Sequence, residues 1–185
     1  MNKFLKGLIF VLLLIAVGIF LYAYINGDIL KKPLSPKDTV EFKLNDLELE
    51  VFYNRPSKRD RNIFGGLVAF NKVWRTGANE ATTFETNQPL KIGKDYLAAG
   101  KYTLWTIPDE TTWKVIFNAK QYPWGVNDSM EPMRDPNFDA VSIDVPVQKI
   151  PSFVEQFTIA FDNSTDNLSL TMAWDDVKIA VPLNQ

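Results

Sequence analysis

The sequence predicts an all-β protein: an antiparallel β-sandwich of about nine or ten short strands, preceded by one N-terminal transmembrane helix. Two patterns carry this expectation. From Thr39 to the C-terminus, apolar and polar residues alternate in short runs separated by turn residues, with no amphipathic helix of any length. Before that, Leu8 to Ile25 pass without a single charge. A small barrel is the alternative closure for so many short strands.

The N-terminal segment comes first. As a helix, residues 8–25 would be roughly 27 Å long, close to a hydrocarbon core of about 30 Å. Lys3 and Lys6 precede it, and Tyr22 and Tyr24 fall where an interfacial aromatic belt would lie. A cleaved signal peptide needs a shorter apolar core and a small-x-small cleavage site. The available small residues, Ala23 and Gly27, are too widely spaced for that, and no Cys follows to carry a lipid. The pattern favours an uncleaved single-span anchor in the lipid bilayer. Lys3, Lys6 and the amino terminus favour a cytoplasmic N-terminus, against a weaker pull from Lys31, Lys32 and Lys37. That puts the N-terminus in the cytoplasm and the C-terminal domain outside. The expected division is 1–26 anchor, 27–38 linker with Pro33 and Pro36, and 39–185 β domain.

The strands follow in order. Val40, Phe42 and Leu44 alternate with charged residues, Asn45-Asp46 offers a turn, and Leu47, Leu49, Val51 and Tyr53 alternate again, which predicts a tight hairpin. Thr82–Thr86 and Pro89–Ile92 read as short strands. Lys101–Ile107 and Thr112–Asn118 read as a hairpin closed by Pro108-Asp109-Glu110. Ala140–Val147, Phe153–Phe161, Asn167–Trp174 and Val177–Pro182 complete the series, with Asp175-Asp176 as the turn between the last two. Gln121–Asp139 holds three prolines and a glycine and matches no regular element. Its length makes it a lid or binding loop, or an ordered excursion packed by Trp124, Met130, Met133 and Phe138.

Composition removes whole classes of chemistry. The 185 residues contain no Cys and no His. Disulfides, Cys nucleophiles, Ser-His-Asp triads and zinc or haem sites on those ligands are therefore excluded. A metal would need oxygen ligands, and the Asp pairs at 162/166, 175/176 and 135/139 read as turn chemistry rather than an EF-hand. No metal or other cofactor is implied. Net charge is −2, which is no footprint for nucleic acid. The local basic cluster Arg55, Lys58, Arg59, Arg61 reads more readily as a solvated loop than as an anion site.

The candidate site is the polar run inside Ile63–Thr86. Arg75 offers a planar fork for carboxylate or phosphate, Asn79 a donor and an acceptor, Glu80 a carboxylate, and Thr76 and Thr82 hydroxyls. Trp74 supplies an aromatic face, and Gly77 permits a close backbone approach. Arg55 and the loop residue Trp124 are further binding candidates. The competing reading is a structural ion pair between Arg75 and Glu80. No residue is assigned a catalytic role, because a lone carboxylate beside an Arg lacks a nucleophile with an activating base.

The motifs Tyr53-Asn54-Arg55-Pro56-Ser57, Ile63-Phe64-Gly65-Gly66-Leu67-Val68, Lys72-Val73-Trp74-Arg75-Thr76-Gly77-Ala78-Asn79-Glu80-Ala81-Thr82 and Ala98-Ala99-Gly100-Lys101-Tyr102 with Thr106-Ile107-Pro108 give the chain a family resemblance. It resembles the bacterial domain of unknown function 2911 family, from about Glu41 to the C-terminus. Asn54 departs from the Gly or Ser expected before Arg-Pro, and residues 124–137 are less family-like. The resemblance implies exported or membrane-attached proteins, makes the 74–82 run the family signature, and carries no activity. The expected function is therefore a membrane-anchored binding or interaction module. Its ligand would be a glycan, a small anion or a partner protein. The alternatives are a hydrolase-like enzyme using Glu80 and Arg75, and a structural subunit of a membrane complex.

Overall fold

A computed structural model describes residues 2–25, 34–165 and 167–184. It divides into two units, residues 1–33 and 34–185. In the first, α1 (Lys3–Ile25) is a 23-residue helix, long and apolar enough to cross a membrane. It extends the apolar stretch back through Lys3 and Lys6, since a helix needs only unbroken backbone hydrogen bonds. Of the expected linker, residues 27–33 lie outside the described residues.

The second unit is mostly antiparallel strands. β1 (Lys37–Leu44) and β2 (Leu47–Asn54) form the predicted hairpin, with Leu44 opposite Leu47 and Asn45 at φ +52° in the turn. β1 starts two residues before the expected Thr39. β3 (Thr83–Thr86), β6 (Gly100–Ile107), β7 (Thr112–Asn118) and β8 (Asp139–Pro146) extend that hairpin into a six-stranded sheet in the order β1-β2-β3-β6-β7-β8. β4 (Leu90–Ile92) and β5 (Asp95–Leu97) make a small separate pair. β9 (Gln148–Asp162) and β10 (Ser169–Pro182) form a long hairpin that covers the sheet.

Period two explains the burial. Leu47, Leu49, Val51 and Tyr53 of β2 all point into the core, while Glu48 faces out. The same face of β7 contributes Trp113, Val115 and Phe117, and the covering hairpin contributes Phe157, Ile159, Leu170, Met172 and Trp174. The opposite face of the sheet is also covered: Trp105, Ile116, Ala81 and Tyr122 form a second, smaller cluster beneath loop residues. Trp105 Nε1 is buried there without a partner among the described residues.

Two expectations need correction. Asp175-Asp176 is no turn between strands, because β10 runs unbroken through it. Opposite this point β9 carries extra residues, and the register shifts between Ala173 and Asp175 and again between Asp175 and Val177. A bulge absorbs the mismatch, with Asp175 at φ +58°, and pairing resumes on the far side. Likewise β9 begins at Gln148 and passes through Pro151, well before the expected Phe153. The bulged part of β9 pairs instead with the segment after β2: Phe157 N donates to Pro56 O at 2.9 Å and Lys58 N to Glu155 O at 2.7 Å. The Gly65-Gly66 step closes a small loop, with Gly65 N to Val68 O at 2.9 Å and Val68 N to Ile63 O at 2.8 Å.

Candidate functional site

The run from Trp74 to Thr82 leaves the sheet and returns to it. Trp74 pairs with Thr106 of β6, N to O at 2.7 Å and back at 3.0 Å. The turn that follows is strained. Thr76, Gly77 and Asn79 stand at φ +57°, +156° and +53°. A β-branched residue in the left-handed region is an outlier, and such residues persist only where their surroundings over-determine them. Here the surroundings are two buried hydroxyls. Thr76 Oγ1 lies 3.2 Å from Thr106 Oγ1, and Thr82 Oγ1 donates to Thr76 O at 2.7 Å. Thr76 and Thr82 thus act on the turn itself and are buried away from solvent.

The turn sends its charged residues in two directions. Glu80 does not meet Arg75. It accepts from Asn54 Nδ2 at 2.8 Å and pairs with Lys37 Nζ at 2.5 Å. Asn79 Nδ2 donates to Asn54 Oδ1 at 3.3 Å and to Ser35 O at 3.5 Å. Arg55 binds Asp38 at 3.2 Å and donates to Phe157 O at 3.3 Å and Thr158 Oγ1 at 3.0 Å. Its backbone N donates to Pro36 O at 2.9 Å. Arg55, Asn79 and Glu80 therefore form a clasp on residues 35–38, where the chain enters the first strand.

The Lys37 ammonium, bonded to the Glu80 carboxylate, holds that carboxyl below its ordinary value. A lowered folded value means the clasp's contribution is complete above the unfolded-chain pKa of about 4.3 and is lost as pH falls through the lower folded value. Glu80→Gln keeps an acceptor for Asn54 and removes the charge. We expect it to cost about 0.5 kcal/mol at pH 7, as for a surface pair whose lysine is largely exposed and screened by water. In denaturant melts, the gap from the parent chain should stay constant from pH 6 to 8 and close below pH 4.

Arg75 and Trp74 face the other way, into a cleft of about 740 Å³. Its lining comes from residues that follow β2, including Pro56, Arg59, Arg61 and Leu67 to Ala69, and from the later loop residues Val126 and Met130 to Pro132. The floor is apolar: Val68 and Trp174 are buried, and Trp74 stacks on Trp174 with ring centroids 6.1 Å apart. Trp74 Nε1 donates to Gly77 O at 3.0 Å, which ties the ring to the strained turn. Arg59, Arg61, Lys72 and Arg75 all line the cleft, against one carboxylate, Glu131.

Arg75 Nη1 donates to Trp124 O at 3.3 Å, and no carboxylate lies within ion-pair distance of it among the described residues. Burial alone pulls its pKa below the ordinary arginine value. Trp124 itself is 49% exposed, and only its carbonyl meets Arg75. The 121–139 segment is ordered by its own bonds. Asn127 caps Ser129 and Glu131, the ring hydroxyl of Tyr122 accepts from Asp135 N at 2.9 Å, and Arg134 pairs with Asp139.

The sequence-predicted residues thus separate into a clasp (Arg55, Asn79, Glu80), a buried hydroxyl pair (Thr76, Thr82) and a cleft (Trp74, Arg75, with Trp124 behind it). Sequence reasoning missed Lys72 and Trp174 as cleft residues, and Lys37 and Asp38 as clasp partners. Arg59 and Arg61 were visible as a basic cluster. What joins them to Lys72 and Arg75 is the chain reversal at Phe64–Val68. Among the described residues, no group of three or more acidic side chains could hold a metal ion.

The chain is accordingly an antiparallel β-sandwich domain with a cation-lined cleft, following an apolar N-terminal helix. A family model described as "Protein of unknown function (DUF2911)" matches residues 35–183, and the chain belongs to that family. No curated protein and no solved structure gives a significant match.

Proposed function

We propose that this chain is a membrane-anchored binding module whose sandwich takes a small anionic ligand in the cleft beside Arg75. The observation that carries the reading is the grouping of Arg59, Arg61, Lys72 and Arg75 around one cleft in a chain of net charge −2. Like charges gather against their mutual repulsion, and a half-buried guanidinium without a carboxylate is costly unless an anion completes it. Arg75 is fixed in direction by the turn below it and so is pre-organised for that anion. Lys3 and Lys6, in the first turn of α1 ahead of its uncharged stretch, support a cytoplasmic N-terminus and a periplasmic domain in the cytoplasmic membrane. A hydrolase built on Glu80 and Arg75 finds no support in this geometry, since Glu80 is engaged by Lys37 and Asn54.

The test is titration of the full chain with phosphate, sulfate and citrate, followed by tryptophan fluorescence. Arg75→Ala should weaken binding by about tenfold to a hundredfold, the loss of a charge-assisted hydrogen bond. Its melting temperature should stay within about 1 °C of the parent, because no ion pair is broken. Equal affinity in the variant, or no binding of any anion to the parent chain, would sink the proposal.

A further inference from the structure

The cleft has two chemistries, and an inorganic anion satisfies only one. Arg59 and Lys72 are exposed at its rim, whereas Val68 and Trp174 are buried at its floor. Leu67 and Met130 line it as well, and they are 50% and 64% exposed. Large apolar side chains in that state leave an unpaired hydrocarbon wall beside the cations. The volume of about 740 Å³ lies in the range of sites that enclose a whole organic ligand. A ligand that meets both parts has an anionic head and a hydrocarbon body in one molecule.

We propose that the cleft takes a single-chain anionic amphiphile, its phosphate or carboxylate among Arg59, Lys72 and Arg75 and its hydrocarbon against Leu67, Trp74 and Met130. This deepens the anion-binding reading above and rests on it. The membrane is a fitting source. Only residues 26–36 separate the apolar helix from the first strand, so a chain anchored by that helix works beside a lipid phase. The aromatic floor suits the hydrocarbon: Trp74, half-buried and backed by the buried Trp174, offers a flat, rigid surface whose Nε1 is already held by Gly77 O at 3.0 Å.

The experiment uses the full chain in zwitterionic nanodiscs, titrated with inorganic phosphate and with alkyl phosphates from ethyl to octyl, with empty nanodiscs as baseline. Trp74 and Trp174 line the cleft, so their fluorescence reports occupancy. The dissociation constant should fall by about fourfold for each methylene buried, and octanol should bind at least tenfold more weakly than octyl phosphate. Ala69→Trp, at an exposed position lining the cleft, should fill it and abolish the chain-length dependence. Leu67→Ser should weaken octyl phosphate while leaving inorganic phosphate unchanged. If phosphate binds the parent chain as tightly as octyl phosphate, the amphiphile is wrong and the anion reading stands. If no phosphate binds, both fail. If the chain-length dependence survives in both variants, the alkyl group is entering the bilayer, and the cleft is not its site.

Discussion

Replacing Trp174 with Ala should lower the melting temperature of the β domain by about 10 °C. Trp174 is 1% exposed and central to the aromatic core. Its ring meets Trp74, Phe157 and Phe64 at centroid distances of 6.1, 5.8 and 6.2 Å. Truncating a buried Trp removes its transfer free energy and leaves a cavity, together about 3–5 kcal/mol. In a domain of this size each kcal/mol moves the midpoint by about 2–4 °C. The lost Nε1 bond adds little, since Glu155 O keeps its bond from Lys58 N at 2.7 Å. Trp124→Ala is the contrast. Its side chain is half exposed and its carbonyl survives the change, so the cost should stay within about 0.5 kcal/mol. Circular dichroism melts of both variants check the pair; a loss below about 1 kcal/mol for Trp174→Ala would mean that the core repacks around the gap.

The same contrast shows what the sequence could reveal. Strand residues are legible when one face meets the core and the other meets water. Leu47, Leu49, Val51 and Tyr53 are buried at alternate positions, and their pattern named the strand and its face together. Trp124 was legible as a loop residue, with prolines and a glycine around it, but whether it is packed or exposed was not, and the structure leaves its side chain half exposed. Bulges hide from this reading. Pro151 and Asp175-Asp176 break period two, yet β9 and β10 keep pairing on either side of the break. Partner choice hides as well. Glu80 stands five residues from Arg75 in the chain, and proximity suggests an ion pair. The left-handed residues between them turn the backbone so that Glu80 reaches Lys37, forty-three positions away, and Arg75 faces the cleft. The basic residues were visible one by one, but their convergence depends on a reversal closed by backbone bonds, which no side-chain pattern encodes.

Gly77→Ala tests that turn directly, and its effect should reach both the clasp and the cleft. Gly77 has φ +156°, which L side chains rarely adopt, and such strain costs about 1–3 kcal/mol. An added Cβ would also lie 3.0 Å from Asn54 O and 3.0 Å from Thr82 Oγ1. The Asn54 carbonyl belongs to the end of β2 and cannot swing aside. The Thr82 hydroxyl could move only by giving up its 2.7 Å bond to Thr76 O, leaving a buried carbonyl short of its donor. We therefore expect a loss of about 3 kcal/mol in denaturant melts. Gly18→Ala should show no such loss, because nothing lies within 4 Å of its added Cβ. If the turn shifts to admit the methyl, Arg75 and Asn79 move with it, since they flank Gly77 on either side. Anion binding should then fall along with stability, whereas Arg75→Ala should reduce binding alone. Gly77→Ala with parent-like stability and binding would show that this turn does not fix the direction of Arg75, and the pre-organised cleft would lose its support.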